Sequence, residues 1–179
     1  TDPNPKVAGR GIAALKAAGV EVISGVLEAD CLELNKRFYC LHTKKRPYII
    51  LKWAQTGDGY IAPKDYKKGK VFWISDADSQ QLAHRWRAEE HAILVGRKTV
   101  VNDNPKLTTR KWKGNNPIRL VIDPSNSIDE NAHILNGDAK TVVFNNSLTK
   151  KEANVNWVSI TNPEILNGIL NWCSNNEIQ

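Results

Sequence analysis

The chain contains no methionine, not even at its first position. We read it as an excised fragment or the product of tag removal. No apolar run approaches the roughly 20 residues that a membrane-spanning helix needs, so a helical membrane protein is excluded. The opening Thr1-Asp2-Pro3-Asn4-Pro5 lacks the charged and apolar regions of a secretion signal. Cysteine is scarce: Cys31, Cys40 and Cys173 are odd in number and far apart, with no Cys-x-x-Cys. That argues against a disulfide framework and against a metal site on this chain, and it fits reduced thiols in the cytoplasm. In that compartment the sequon Asn145-Asn146-Ser147 carries no meaning. Internal repeats and low-complexity tracts are absent.

What is present describes a globular chain of 179 residues, 41% hydrophobic and 25% charged. That is one domain, or one domain and a piece of another. Lysine and arginine number 25 against 19 acidic residues, a net charge of +6. Such an excess suits nucleic acid, small phosphorylated ligands, or simply a solvated basic surface. The cations are spread out, densest at Lys44-Lys45-Arg46 with Lys64, Lys67, Lys68 and Lys70 nearby.

Periodicity divides the chain. Val7 to Ala18 has a helical apolar face of Ile12, Leu15 and Ala18, stopped by Gly19. Val20 to Ile23 reads as a short strand, and Leu27 to Phe38 as an amphipathic helix with Leu27, Cys31, Leu34 and Phe38 on one stripe. One strand and two helices cannot bury a core, so residues 1–41 read as the end of a domain whose body lies upstream. Residues 42–47 read as a linker, and 48–179 as the second unit. There, Tyr48 to Ala54 and Val71 to Ile74 read as strands around a turn at Gly57-Asp58-Gly59. Ser75 caps a helix reaching about Ala88, with Asp76 and Asp78 in its first turn. Strands follow at Ala92–Val95 (buried), Ile118–Ile122, Thr141–Phe144 and Val155–Val158. Asn162-Pro163-Glu164 opens a last helix whose stripe is Leu166, Leu170 and Cys173, with Ile169 beside it. This order predicts an α/β fold with a mostly parallel sheet and flanking helices, cut short at its C-terminus.

Several polar residues stand where chemistry is expected. After Val95 comes a polar loop, Gly96 to Arg110, beyond the carboxyl end of a strand, where α/β proteins bind ligands. Thr99 and Asp103 are four apart, so one helical turn puts them on one side. Asp103 has three candidate roles: capping that turn, orienting Lys52, or bonding a ribose hydroxyl. Lys52 sits inside Tyr48-Ile49-Ile50-Leu51-Lys52-Trp53-Ala54 on the face of Ile50 and Ala54. It is either a buried cation meeting an anion or reacting centre, or an edge-strand lysine reaching water. Gln80, His84, Arg87 and His91 form a polar stripe opposite Leu82 and Trp86. Arg87 and Arg110 carry the bidentate fork that suits a phosphate, whereas His84 and His91 read as solvent-facing.

The stretch Val95-Gly96-x-x-Thr99-Val100-x-x-Asp103-x-Pro105-x-Leu107-x-x-Arg110 resembles the reductase domain of the bifunctional riboflavin-biosynthesis deaminase–reductases. So do Arg46-Pro47-Tyr48, Leu51-Lys52, Asp58-Gly59, Trp73-Ile74-Ser75, Arg87-Ala88 and Pro117-Ile118-Arg119-Leu120-Val121-Ile122-Asp123. Asp2-Pro3-Asn4-Pro5-x-Val7-Ala8-Gly9-x-Gly11, with Ala18-Gly19-Val20-x-Val22 and Leu34-Asn35-x-x-Phe38, looks like the tail of that family's cytidine-deaminase-like domain. Together these pieces span nearly the whole chain.

The resemblance implies a dihydrofolate-reductase-like fold and an NADPH-dependent reduction of 5-amino-6-(5-phosphoribosylamino)uracil. It implies that Ala54, Trp73, Thr99 and Asp103 contact NADPH. Arg87, Leu107 and Arg110 would hold the phosphorylated pyrimidine, with Lys52 and Asp103 nearest the reacting centre. It also implies a homo-oligomer, dimer or tetramer, with no nucleic-acid or membrane partner. The zinc motifs of the deaminase and the Glu-Gly-Gly segment of the reductase are not in this sequence, so zinc belongs to a missing portion and the fragment is expected to turn over poorly or not at all. Departures from the family pattern are Val71, where a substrate-contacting serine is common, Pro124, where a serine often follows the aspartate, and Lys98, where glycine is common. Three other readings stay open: a different dihydrofolate-reductase-like NADPH reductase, a basic nucleic-acid-binding module, and a folded but inactive piece.

Overall fold

Runs of β-branched residues build the central sheet of residues 50–169, because such side chains pack well on a pleated surface. The computed structural model describes residues 2–66, 72–161 and 164–179. Four strands pair in parallel: β1 (Ala92–Gly96), β2 (Ile118–Ile122), β3 (Thr141–Asn145) and β5 (Val155–Ser159). The sheet order is β1-β2-β3-β5-β4, with β4 (Lys150–Glu152) antiparallel to β5 at the edge. Sequence reading finds the four apolar strands and misses β4. Its Lys-Lys-Glu has no apolar face because every residue of this edge strand is exposed.

Position in the sheet decides burial. All five residues of β3, between β2 and β5, are buried. The side chain of Asn145 at its end donates to Leu148 O (2.9 Å) and accepts from Ser147 N (2.9 Å), so the sequon asparagine is an internal turn-former. β1 pairs only with β2 among the described strands, and Leu94 is exposed, so the expected buried strand is a half-exposed edge. One core cluster consists of Val100, Leu107, Val121, Ala132 and Ile134, with Ile93, Val95, Ile128 and Leu135 against it.

The helices are α1 (Arg10–Ala17), α2 (Glu28–Leu34), α3 (Lys36–Lys44), α4 (Ala77–Glu89), α5 (Arg97–Asp103) and α6 (Ile165–Asn175). The expected helix 27–38 is two helices, broken at Asn35, whose side chain donates to Cys31 O (2.9 Å) and competes with the helical ladder. α3 continues to Lys44, so residues 42–44 of the expected linker are helical. Asp76, not Ser75, caps α4, accepting from Ser79 N at 2.8 Å. Hydrogen bonding from Ser79, by its side chain first and its main chain second, holds the Asp76 carboxyl below its ordinary range. In α6 the buried positions are Ile169 and Cys173, while Leu166 is exposed. A Cβ on Gly168 would fall 2.3 Å from Ile160 Cγ2, so this helix approaches its neighbour closely enough to need glycine. The expected opening of this helix at Asn162-Pro163 lies outside the described residues.

Three expected strands differ. Residues 20–23, 48–54 and 72–74 form no ladder among the described residues, and Val71 lies outside them. An apolar alternating run becomes a strand only where another strand takes up its N–H and C=O groups. Two compact units emerge: residues 1–49 with 170–179, and residues 50–169. In the first, α1 and α2 bury no residue and α3 buries Cys40 and Leu41. The second contains the sheet, α4 and α5.

Candidate active site

Two elements gather the polar residues of the second unit. α5 follows β1 directly and is anchored by Val100, 2% exposed. That anchoring leaves Thr99 and Asp103 exposed and, four apart, on one side. Asp103 Oδ1 accepts from Tyr66 Oη at 2.9 Å. This bond raises the Tyr66 hydroxyl above its ordinary value, with burial and the Asp103 charge adding to it. Orienting Lys52 is one of the three roles the sequence offers for Asp103, and none of the three points to Tyr66, which lies 37 positions away.

The chain after α5 is firmly held. Asn104 and Leu107 both have positive φ (40° and 53°), a conformation costly for a branched residue unless its surroundings enforce it. Asn104 Oδ1 accepts from His133 N (2.8 Å), and Asn104 O accepts from His133 Nδ1 (2.9 Å). Arg119, fully buried on β2, donates from Nη1 to Lys106 O and His133 O (3.2 Å each). It also donates from Nε to Thr141 Oγ1 (2.9 Å) and from Nη2 to Ala139 O (2.8 Å). Burial lowers its pKa. Leu107 itself enters the core.

The polar stripe of α4 then meets residues 108–111. Lys111 Nζ donates to Gln80 Oε1 (2.8 Å), and Arg110 N donates to His84 Nδ1 (2.9 Å). Arg87 Nη1 donates to Thr108 O at 3.4 Å. Arg110 Nη1 donates to Thr108 Oγ1 at 3.0 Å, so both guanidinium groups converge on one residue. Gly114 completes the join, since a Cβ there would fall 2.6 Å from Ala88 Cβ. Of the two histidines expected to face solvent, His91 is exposed but His84 faces protein and is buried, while Leu82 and Trp86 on the opposite side are exposed. The polar face turns inward because the segment it covers supplies its hydrogen-bond partners.

The electrostatics of this join are one-signed. Burial, then Arg87, Arg110 and Lys111, push His84 down to about 4, so its ring is neutral at pH 7. Burial, then Arg110, lower Arg87. Among the described residues neither Arg87 nor Arg110 makes an ion pair. Two adjacent guanidinium groups, one half-buried, without a carboxylate bonded to either, form an arrangement that an anion would stabilise.

The remaining candidates stand apart from these contacts. Lys52 is exposed, the solvent-reaching alternative of the two considered, and Ala54 is half-buried. Trp73 is 63% exposed, offering an indole face. His91 and Lys98 are exposed. Pro124 is half-buried and its carbonyl accepts from Asn146 N (3.1 Å). Among the described residues, no three His, Cys, Asp or Glu side chains gather as a metal site, and no helix is long and apolar enough to cross a membrane.

Known proteins resemble this chain in sequence and fold. The family described as RibD C-terminal domain matches residues 47–167. The riboflavin biosynthesis protein RibD of Aquifex aeolicus is 42% identical over 153 residues, 84% of this chain and 41% of the relative. RibD of Synechocystis sp. is 38% identical over 160 residues, 88% of this chain and 41% of the relative. A solved diaminohydroxyphosphoribosylaminopyrimidine deaminase/5-amino-6-(5-phosphoribosylamino)uracil reductase from Thermotoga maritima superposes with a TM-score of 0.85 at 34% identity. It covers 99% of this chain and 49% of that one. The riboflavin biosynthesis reductase of Saccharomyces cerevisiae shares the fold alone, with a TM-score of 0.53 at 19% identity, over 83% of this chain and 69% of that one. The chain thus spans about two-fifths of the length of the two RibD relatives.

Proposed function

The chain belongs to the RibD C-terminal domain family, and on that premise we propose that it carries the reductase site of riboflavin biosynthesis. The reaction is reduction of 5-amino-6-(5-phosphoribosylamino)uracil with NADPH. The observation that carries this reading is the pair Arg87 and Arg110, converging on Thr108 with no ion pair among the described residues. They would hold the substrate phosphate, with the strained, buried Leu107 fixing the approach of the chain.

The donor set of α5 fits NADPH. Asp103 offers a carboxylate for ribose hydroxyls and Thr99 a hydroxyl, both exposed. Trp73 and Ala54 would complete the contact. NADPH supplies the hydride when bound; the protein's part is to orient it and to stabilise charge. Lys52 and Asp103 are the residues we place nearest the reacting carbon. Tyr66 joins them as the group that fixes the Asp103 carboxylate. Residues 1–41 would be the end of a deaminase domain, 42–47 the connection and 48–179 reductase sequence. The protein would work in the cytoplasm as a dimer or tetramer, with zinc confined to the deaminase.

The test is Arg110→Ala in the intact protein, assayed for KM with the phosphorylated substrate and for NADPH affinity by fluorescence titration. Loss of a charge-assisted contact to phosphate predicts a KM raised about tenfold or more with NADPH binding nearly unchanged. An unchanged KM would remove the phosphate assignment.

A further inference from the structure

His84 is the one group in the arginine site whose hydrogen bonding does not close. Its Nδ1 lies 2.9 Å from Arg110 N, and a backbone N–H can only donate. So Nδ1 holds a lone pair, and in a neutral imidazole the proton is then on Nε2. That Nε2–H faces Arg87 Nη1 at 3.3 Å, and a guanidinium nitrogen also only donates. Two donors therefore point at each other from a ring that is only 5% exposed. Protonating the ring does not resolve the conflict, because it would put a second donor against Arg110 N. Burial and the cations Arg87, Arg110 and Lys111 hold the ring neutral in any case. What the pair lacks is a shared acceptor.

We propose that His84 is a third binding residue of the anion site: its Nδ1 fixes the Arg110 main chain, and its Nε2–H donates, together with Arg87 Nη1, to one oxygen of the bound phosphate. This rests on the reading of Arg87 and Arg110 as phosphate-holding groups and deepens it. Each nitrogen of the ring has a separate task. A neutral donor adds a direction to the site without adding charge, so it favours an oxygen placed between the imidazole and the guanidinium. The position on α4 follows from the helix, since His84 and Arg87 are three apart and share a face.

The two tasks separate by substitution. In His84→Asn the amide oxygen takes the place of Nδ1 and keeps the acceptor for Arg110 N, while the Nε2–H is lost. In His84→Gln the amide nitrogen takes the place of Nε2 and the acceptor is lost. Inorganic phosphate would be titrated calorimetrically into the wild type, both variants and Arg110→Ala. The free and phosphate-bound wild type would also be compared by long-range imidazole nitrogen NMR. We expect a free ring protonated on Nε2, with the Nε2 resonance moving on phosphate addition and Nδ1 hardly at all. His84→Asn should bind phosphate about tenfold more weakly with an unchanged Tm.

Phosphate binding in His84→Asn equal to wild type, with binding lost in Arg110→Ala, would overturn the role of His84 and leave the arginines in place. No phosphate binding by the wild type would overturn both readings. If His84→Asn fails to fold, the wild-type spectrum decides alone, and an Nε2 resonance unmoved at saturating phosphate overturns the proposal.

Discussion

Two apolar runs in this chain each carry a single cation, and they meet opposite fates. In Ile50-Leu51-Lys52-Trp53 the lysine is exposed, and Leu51 and Trp53 are 77% and 63% exposed beside it. In Ile118-Arg119-Leu120-Val121 the arginine is 0% exposed, as is Val121. The local patterns are nearly the same. The difference lies in what flanks them: β2 has β1 on one side and β3 on the other, whereas residues 50–53 have no ladder partner among the described residues. A charged residue in an apolar run is therefore a signal with two outcomes, decided by the neighbouring strands. Arginine tolerates the buried outcome because all three of its nitrogens find acceptors: Nε meets Thr141 Oγ1, Nη1 meets Asn136 Oδ1 and the carbonyls of Lys106 and His133, and Nη2 meets the carbonyl of Ala139.

The sharpest way to break the comparison is Arg119→Ala. It would remove a buried side chain and leave the carbonyls of Lys106, His133 and Ala139 short of a donor. Destabilisation of about 3 kcal/mol or more is expected, read as a lowered urea midpoint. Because Lys106 O adjoins Leu107, the same variant should raise the KM for the phosphorylated substrate. A midpoint within error of wild type would mean that the buried hydrogen-bond network contributes nothing to stability.

The same reasoning explains what was legible beforehand. Residues 92–95, 118–122, 141–144 and 155–158 were readable as strands because each is a β-branched or aliphatic run that in the fold lies in a ladder. Thr99 and Asp103 were readable because a four-residue spacing maps onto one helical turn. Chemistry and resemblance single out Arg87 and Arg110 as candidate phosphate ligands, but not as neighbours. Their convergence on Thr108 depends on how the segment after α5 lies along α4. The inward turn of His84 is hidden for the same reason: a polar stripe faces water by default, and only tertiary contact with residues 108–111 turns it inward. Tyr66 carried no local signal, since its partner is Asp103 across a long loop. Arg119 carries the same local signal as Lys52, a lone cation in an apolar run, and only the strands beside it show which is buried.

His84 is a third case, buried but neutral, and its effect should show in the pH dependence of stability. In the unfolded chain the ring titrates near 6.5, and in the folded protein near 4. Above pH 6.5 neither state binds the proton and the full stability is present. As pH falls from 6.5 towards 4, the unfolded state takes up a proton that the folded state refuses, so stability declines. Below about 4 both states bind it and the decline from this group ends. Asp76, held below the ordinary carboxylate range, adds its own loss only at more acid pH. Urea midpoints at pH 7.5, 6 and 5 would trace the slope, and His84→Gln should flatten it. An equal slope in that variant would mean that another group carries the dependence.

The smallest effect is expected at the other end of the comparison. Lys52→Ala removes an exposed side chain with no hydrogen bond or ion pair to another described residue. Surface changes of this kind stay within about 0.5 kcal/mol, so the urea midpoint should match wild type. The contrast with Arg119→Ala then measures what the ladder does, because the two sequences offer the same local pattern. A loss above about 1 kcal/mol at Lys52 would place it outside the range of an exposed residue. It would imply that residues 50–54 are packed in solution by a segment beyond those described. A null effect on stability combined with a lowered kcat would leave Lys52 where we propose it, beside the reacting centre rather than within the framework.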